Sequence, residues 1–77
     1  MLKAQKTEKG GINMAIHLRA ARVNANLTQL EVCEALNISK TTLTNYEKYR
    51  SKPDIEMAKK IAALYGMSVD NIIWSAG

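Results

Sequence analysis

Residues 40 to 52 read KTTLTNYEKYRSK, and their side chains carry most of the recognition chemistry in this 77-residue chain. Lys40 offers cationic donors that suit guanine O6 and N7 or a phosphate, and the Asn45 amide can pair with adenine. Thr41 and Thr44 each bring a methyl for the thymine methyl group and a hydroxyl for a phosphate oxygen. The bland reading of the same residues is a solvated helix face. Charge alone does not decide between the two. Lys40, Lys48, Arg50 and Lys52 face Glu47 alone in this stretch, a surplus of three, and Lys3, Lys6 and Lys9 face Glu8 near the N-terminus, a surplus of two. The remainder is slightly acidic, so the net charge of +4 is concentrated where a polyanion can meet it.

Catalysis finds little support. There is no pair of carboxylates, no nucleophile set beside a base, and no glycine-rich phosphate loop. The single cysteine, Cys33, can form neither an internal disulfide nor a zinc site by itself, and reads as a small buried side chain. His17 is placed on the outer side of a first helix, with no second ligand or acid-base partner. No enzyme activity, metal, cofactor or small-molecule ligand is expected. No apolar run approaches the roughly 18 residues of a membrane span. The first eleven residues, MLKAQKTEKGG, lack the apolar stretch of a secretory signal, so a cytoplasmic location is expected.

The elements that must position these side chains read as helices. A composition of 47% hydrophobic and 23% charged residues is enough for one modest core. Residues 1–12 form no periodic pattern and read as a flexible basic tail, inert or an arm that reaches DNA, with Met14 as an alternative initiator. From residue 13 to 77 one domain is expected. Met14, Leu18, Ala21 and Ala25 make the stripe of a first helix, which Asn26 ends in a left-handed conformation. Thr28 and Glu31 form a capping box for a second helix, whose inner face is Val32, Cys33 and Leu36. Asn37 is the next left-handed residue and Ser39 the next N-cap. A third helix runs from about Lys40 to Glu47, with Ile38, Leu43 and Tyr46 inward and Lys40, Thr41, Thr44 and Asn45 outward. Asp54 caps a fourth helix with Ile55, Ala58, Ile61, Ala62 and Tyr65 inside, and Gly66 closes it. Ser68 caps a short fifth helix carrying Val69, Ile72 and Ile73, with Trp74 at its end. No strand is expected, and the fold class is all-α.

TQLEVCEALNISKTTLTNYEKYRSKP, residues 28–53, resembles the helix-turn-helix of phage repressor and Cro-type (xenobiotic-response-element-type) transcriptional regulators. The resemblance extends from about residue 14 to 73, through LRAAR before the motif and YGMSVDNII after it. It implies a compact five-helix, lambda-repressor-like DNA-binding domain, with helices 2 and 3 forming the motif and a recognition helix of about residues 40–47 in the major groove. Lys40, Thr41, Thr44 and Asn45 fall at or beside the family's base-reading positions. Gln29, Thr42, Lys48, Arg50 and Lys52 fall where relatives touch phosphate, and Arg22 and Glu47 match a structural ion pair. Val69, Ile72, Ile73 and Trp74 sit where relatives often form a symmetric dimer contact, the other reading being that Trp74 folds back on its own domain. Implied partners are double-stranded DNA with a palindromic operator and a second copy of the chain. The competing reading is a protein-interaction module on the same fold, an antirepressor or the regulatory partner of a toxin. One departure stands out: Lys48-Tyr49 replaces the family's Asn-Gly after the recognition helix. Tyrosine meets a steric penalty at the positive φ that glycine adopts freely, so a longer helix or another loop path is expected there.

Overall fold

A computed structural model describes residues 15–76. The expected basic tail, together with Asn13 and Met14 at the head of the expected first helix, lies outside the described residues. In chain order the elements are β1 (Ile16–His17), α1 (Leu18–Asn24), α2 (Gln29–Leu36), α3 (Lys40–Glu47), α4 (Ile55–Tyr65), a 3₁₀ turn (Val69–Asn71) and β2 (Ile72–Ile73).

Two expectations change. The described residues hold four α-helices, not five. Ser68 does act as an N-cap, its hydroxyl accepting from the Asp70 amide at 3.2 Å, but it starts only one 3₁₀ turn, and Ile72 is extended at φ −117°, ψ 136°. A strand pair also appears where none was expected. β1 and β2 run parallel, with Ile16 opposite Ile72 and His17 opposite Ile73. The β-branched isoleucines suit an extended backbone, and His17, at φ −64°, ψ 148°, precedes α1 instead of lying within it.

The helix ends follow from residue chemistry. Thr28 Oγ1 accepts from the Glu31 amide at 3.1 Å while Glu31 Oε1 accepts from the Thr28 amide at 2.8 Å, a reciprocal capping box. Ser39 caps α3 through the Thr42 amide at 3.0 Å, and Asp54 caps α4 through Met57 at 2.8 Å. At the other ends, the positive-φ residues are Asn26, Asn37, Tyr49 and Gly66, one after each helix. Each turn is closed by a reversed amide–carbonyl bond: Leu27 to Arg22, Ile38 to Cys33, Arg50 to Asn45 and Met67 to Ala62. These are Schellman-type turns, which satisfy carbonyls that the helices leave open.

One large apolar side chain from each helix is fully buried: Leu18, Val32, Leu43 and Ile61. Each contributes roughly 1.5–3 kcal/mol by leaving water. Ala21, Cys33, Ala62, Tyr65 and Ile72 complete the core, with Leu36, Ile38, Tyr46 and Trp74 packed at its margin. Ile55 departs from the expected inner stripe of α4, being 61% exposed. Ala25 lies in the turn beyond α1 as its C-cap.

Candidate nucleic-acid interface

Leu43 anchors α3 in the core, and the buried charge pair beside it fixes the helix in rotation. Arg22 Nε donates to Glu47 Oε2 at 2.6 Å and Nη2 to Oε1 at 3.5 Å. Arg22 Nη1 donates to the Leu27 carbonyl at 2.9 Å, so the same guanidinium also holds the turn between α1 and α2. Gln29 Nε2 completes the set by donating to Glu47 Oε1 at 3.0 Å. Arg22, Gln29 and Glu47 thus tie α1, α2 and α3 together around one carboxylate. The Gln29 amide, expected at a phosphate, is instead partly committed to Glu47. Nearby, the Tyr65 hydroxyl is buried with no partner among the described residues. Burial pushes its phenol well above the usual range, the Glu47 charge adds to the effect, and Arg22 opposes it.

This network has an electrostatic consequence. Glu47 is the only acid on α3, and its side chain is only 4% exposed. With that charge buried against a guanidinium, the outer face of α3 and the following loop present only cations. Lys40 and Thr41 are exposed on the first turn, and Thr44 and Asn45 are half-buried one turn later on the same side. The Thr42 hydroxyl lies 2.9 Å from that of Ser39, at the N-terminal edge of the helix. Lys48, Arg50 and Lys52 are all exposed along the loop that follows.

That loop differs from the expectation of a longer helix or another path. α3 ends at Glu47, and Tyr49 adopts φ +61°, the conformation a glycine would take. The Tyr49 hydroxyl donates to the Ile73 carbonyl at 3.2 Å and lies 2.6 Å from His17 Nδ1. The two rings also meet, with centroids 5.7 Å apart. His17, expected to be a partnerless surface residue of α1, is instead a β1 residue bound to the loop. Sequence reasoning missed it because a two-residue strand has no period from which to place its side chains.

A second feature was not legible in the sequence. A shallow cleft of about 790 Å³ opens between α1 and the starts of α2 and α3, lined by Arg19, Thr28, Gln29, Leu30 and Lys40 among others. Leu30 is 65% exposed at its rim. At the C-terminal end, Ile72, expected at a dimer contact, packs into the core and is 4% exposed. The Trp74 indole folds back to donate to the Val69 carbonyl at 2.9 Å. Val69 and Trp74 line a groove of about 330 Å³ with Pro53, Ile55 and Ala58. Among the described residues no group of three or more His, Cys, Asp or Glu could hold a metal, and no helix is long and apolar enough to cross a membrane.

Known proteins are similar to this chain in sequence. A family model described as helix-turn-helix covers residues 18–72, from the first residue of α1 to the start of β2. The HTH-type transcriptional regulator ImmR of Bacillus subtilis is 36% identical over 62 residues, 80% of this chain and 49% of its own length. The cryptic phage CTXphi transcriptional repressor RstR of Vibrio cholerae is 32% identical over 56 residues, 73% of this chain and 50% of its own. An HTH-type transcriptional regulator of Methanocaldococcus jannaschii is 33% identical over 55 residues, 71% of this chain and 83% of its own. The chain thus spans about half the length of ImmR and RstR. No solved structure gives a significant match. With the α2–turn–α3 geometry and a family match over most of its length, the chain belongs to the Cro/C1-type helix-turn-helix family.

Proposed function

We propose that this chain is a sequence-specific regulator of the repressor kind, which lays α3 in the major groove of a palindromic operator and binds as a dimer. The observation that carries the reading is the burial of Glu47 against Arg22. It removes the one acid from a helix face that is otherwise short, polar and cationic, as groove entry requires. Lys40, Thr41, Thr44 and Asn45 read base edges. Thr42, Lys48, Arg50 and Lys52 hold phosphates. Gln29 joins them through its second amide hydrogen, one being committed to Glu47. Residues 13–77 act as the DNA-binding unit, with 1–12 as a basic tail.

The dimer contact in this reading is the C-terminal face of Val69, Ile73 and Trp74, extended by the exposed Ile55. Ile72 is left out because its side chain is used in the core. A symmetric pair joined there presents two α3 helices to half-sites about 34 Å apart.

A protein-interaction module is the competing reading, favoured by the exposed Val23 and Leu30 beside the cleft. Binding to heparin and to random duplex, followed across salt concentration, separates the two. DNA recognition predicts binding that weakens steeply as salt rises. Indifference to both polyanions, with tight association to a protein partner, supports the module instead.

A further inference from the structure

Four helices end on four left-handed residues, and three of those are asparagine or glycine, which tolerate the conformation. Tyr49 is the exception. A bulky aromatic at φ +61° is disfavoured by the contact of its Cβ with the backbone, so something else must hold it. The holding atom is its hydroxyl. In the β1–β2 register, His17 lies opposite Ile73, and the hydroxyl meets both the imidazole and the carbonyl at that one rung. With the phenolic hydrogen on the Ile73 carbonyl, His17 Nδ1 supplies the hydrogen of the shorter bond.

We propose that Tyr49 is a positioning residue for DNA backbone recognition, strapping residues 48–52 to the paired chain segments β1 and β2. The inference rests on the DNA-binding reading and extends it. Lys48 and Arg50 flank the strapped residue and Lys52 lies three positions beyond it, so the strap sets where all three cations stand relative to α3. The loop's other restraints are backbone bonds to its own helix, Lys48 to Thr44, Tyr49 to Tyr46, and Arg50 and Ser51 to the Asn45 carbonyl, with Pro53 buried beyond them. Among the described hydrogen bonds, the Tyr49 side chain alone ties the loop sideways to the far side of the domain. β2 also carries Ile73, part of the proposed dimer face, so the loop and that face share one support.

The test is duplex binding across salt for the wild type, Tyr49→Phe, Tyr49→Gly, His17→Ala and His17→Asn, each first checked for wild-type helix content. Tyr49→Phe keeps the ring and loses the hydroxyl; Tyr49→Gly keeps the left-handed turn and loses the strap. Both are expected to make the slope of log affinity against log salt shallower by about 0.9, the signature of one lost phosphate contact. Preference for operator over random DNA stays, since Lys40 and Asn45 are untouched. His17→Asn, whose amide nitrogen can stand in for Nδ1, is expected to keep the wild-type slope that His17→Ala loses. A change in stability alone does not move the slope of a folded protein. A wild-type slope in Tyr49→Gly overturns the proposal even where Tyr49→Phe fails to fold. His17→Ala binding like His17→Asn overturns it as well. A wild-type chain that ignores duplex DNA is a different failure, of the DNA-binding reading itself.

Discussion

Glu47, in the last turn of α3, accepts from Arg22 of α1 at 2.6 Å, and the two residues are 25 positions apart in the chain. The bond serves folding and function together. It clamps α3 to α1, and it withdraws a negative charge from the surface proposed to face DNA. Arg22, 8% exposed, reaches the Leu27 carbonyl as well, so the turn into α2 depends on the same side chain.

Removing one partner leaves the other charged and buried. Arg22→Ala is expected to lower unfolding free energy by about 3–5 kcal/mol in chemical denaturation. Replacing both, Arg22→Met with Glu47→Leu, is expected to lose much less than the two single losses added together. A loss below about 1 kcal/mol for Arg22→Ala contradicts the clamp.

Ser39 holds the first turn of α3 through the Thr42 amide. Ser39→Ala is expected to destabilise by about 1 kcal/mol, and Ser39→Gly by only a few tenths. Thermal or urea melts of the two variants side by side check the ordering.

Tyr65 ties stability to alkaline pH. Its folded-state pKa is raised by burial, so the unfolded chain gives up this proton at a lower pH than the folded one does. The contribution is fully present below the unfolded value of about 10 and is lost progressively as pH rises beyond it. Tyr65→Phe keeps the ring, removes the buried unpartnered hydroxyl, and is expected to be neutral or stabilising at about pH 7. Its melts between about pH 9 and pH 11 are expected to fall less than those of the wild type; parallel curves contradict the assignment.

In the proposed reading, Lys52 contacts phosphate and not a base edge. Lys52→Ala is expected to weaken binding to every duplex alike, with a salt slope shallower by about 0.9. An unchanged slope removes Lys52 from the phosphate set.

The sequence was legible where residue type decides local structure. Asn26, Asn37 and Gly66 tolerate positive φ, and Thr28, Ser39 and Asp54 offer side-chain acceptors, so the helix ends can be read from the residues themselves. Leu18, Leu43 and Ile61 were legible from their spacing. The rest depends on partners distant in the chain. β1 and β2 are two residues each, too short for a period, and they exist because they meet across 56 positions at Ile16 and Ile72. Ile55 belongs to the α4 stripe by spacing, yet burial depends on where neighbouring elements end, which a stripe does not encode. Tyr49 was legible as a departure but not in its outcome, because its anchor lies on His17 and Ile73. The candidate base-reading face came from outward spacing and from resemblance. That its lone acid is buried could be seen only once Arg22 and Glu47 were placed together.

The most direct test is discrimination. Bound sites selected from random DNA define an operator, and the affinity ratio of operator to random duplex is then measured for the wild type and for Lys40→Ala with Asn45→Ala. The double variant is expected to keep its helix content while its ratio collapses toward one, and the selected half-sites to lie about one helical turn apart. An undiminished ratio in the folded double variant contradicts the claim that this face of α3 reads DNA.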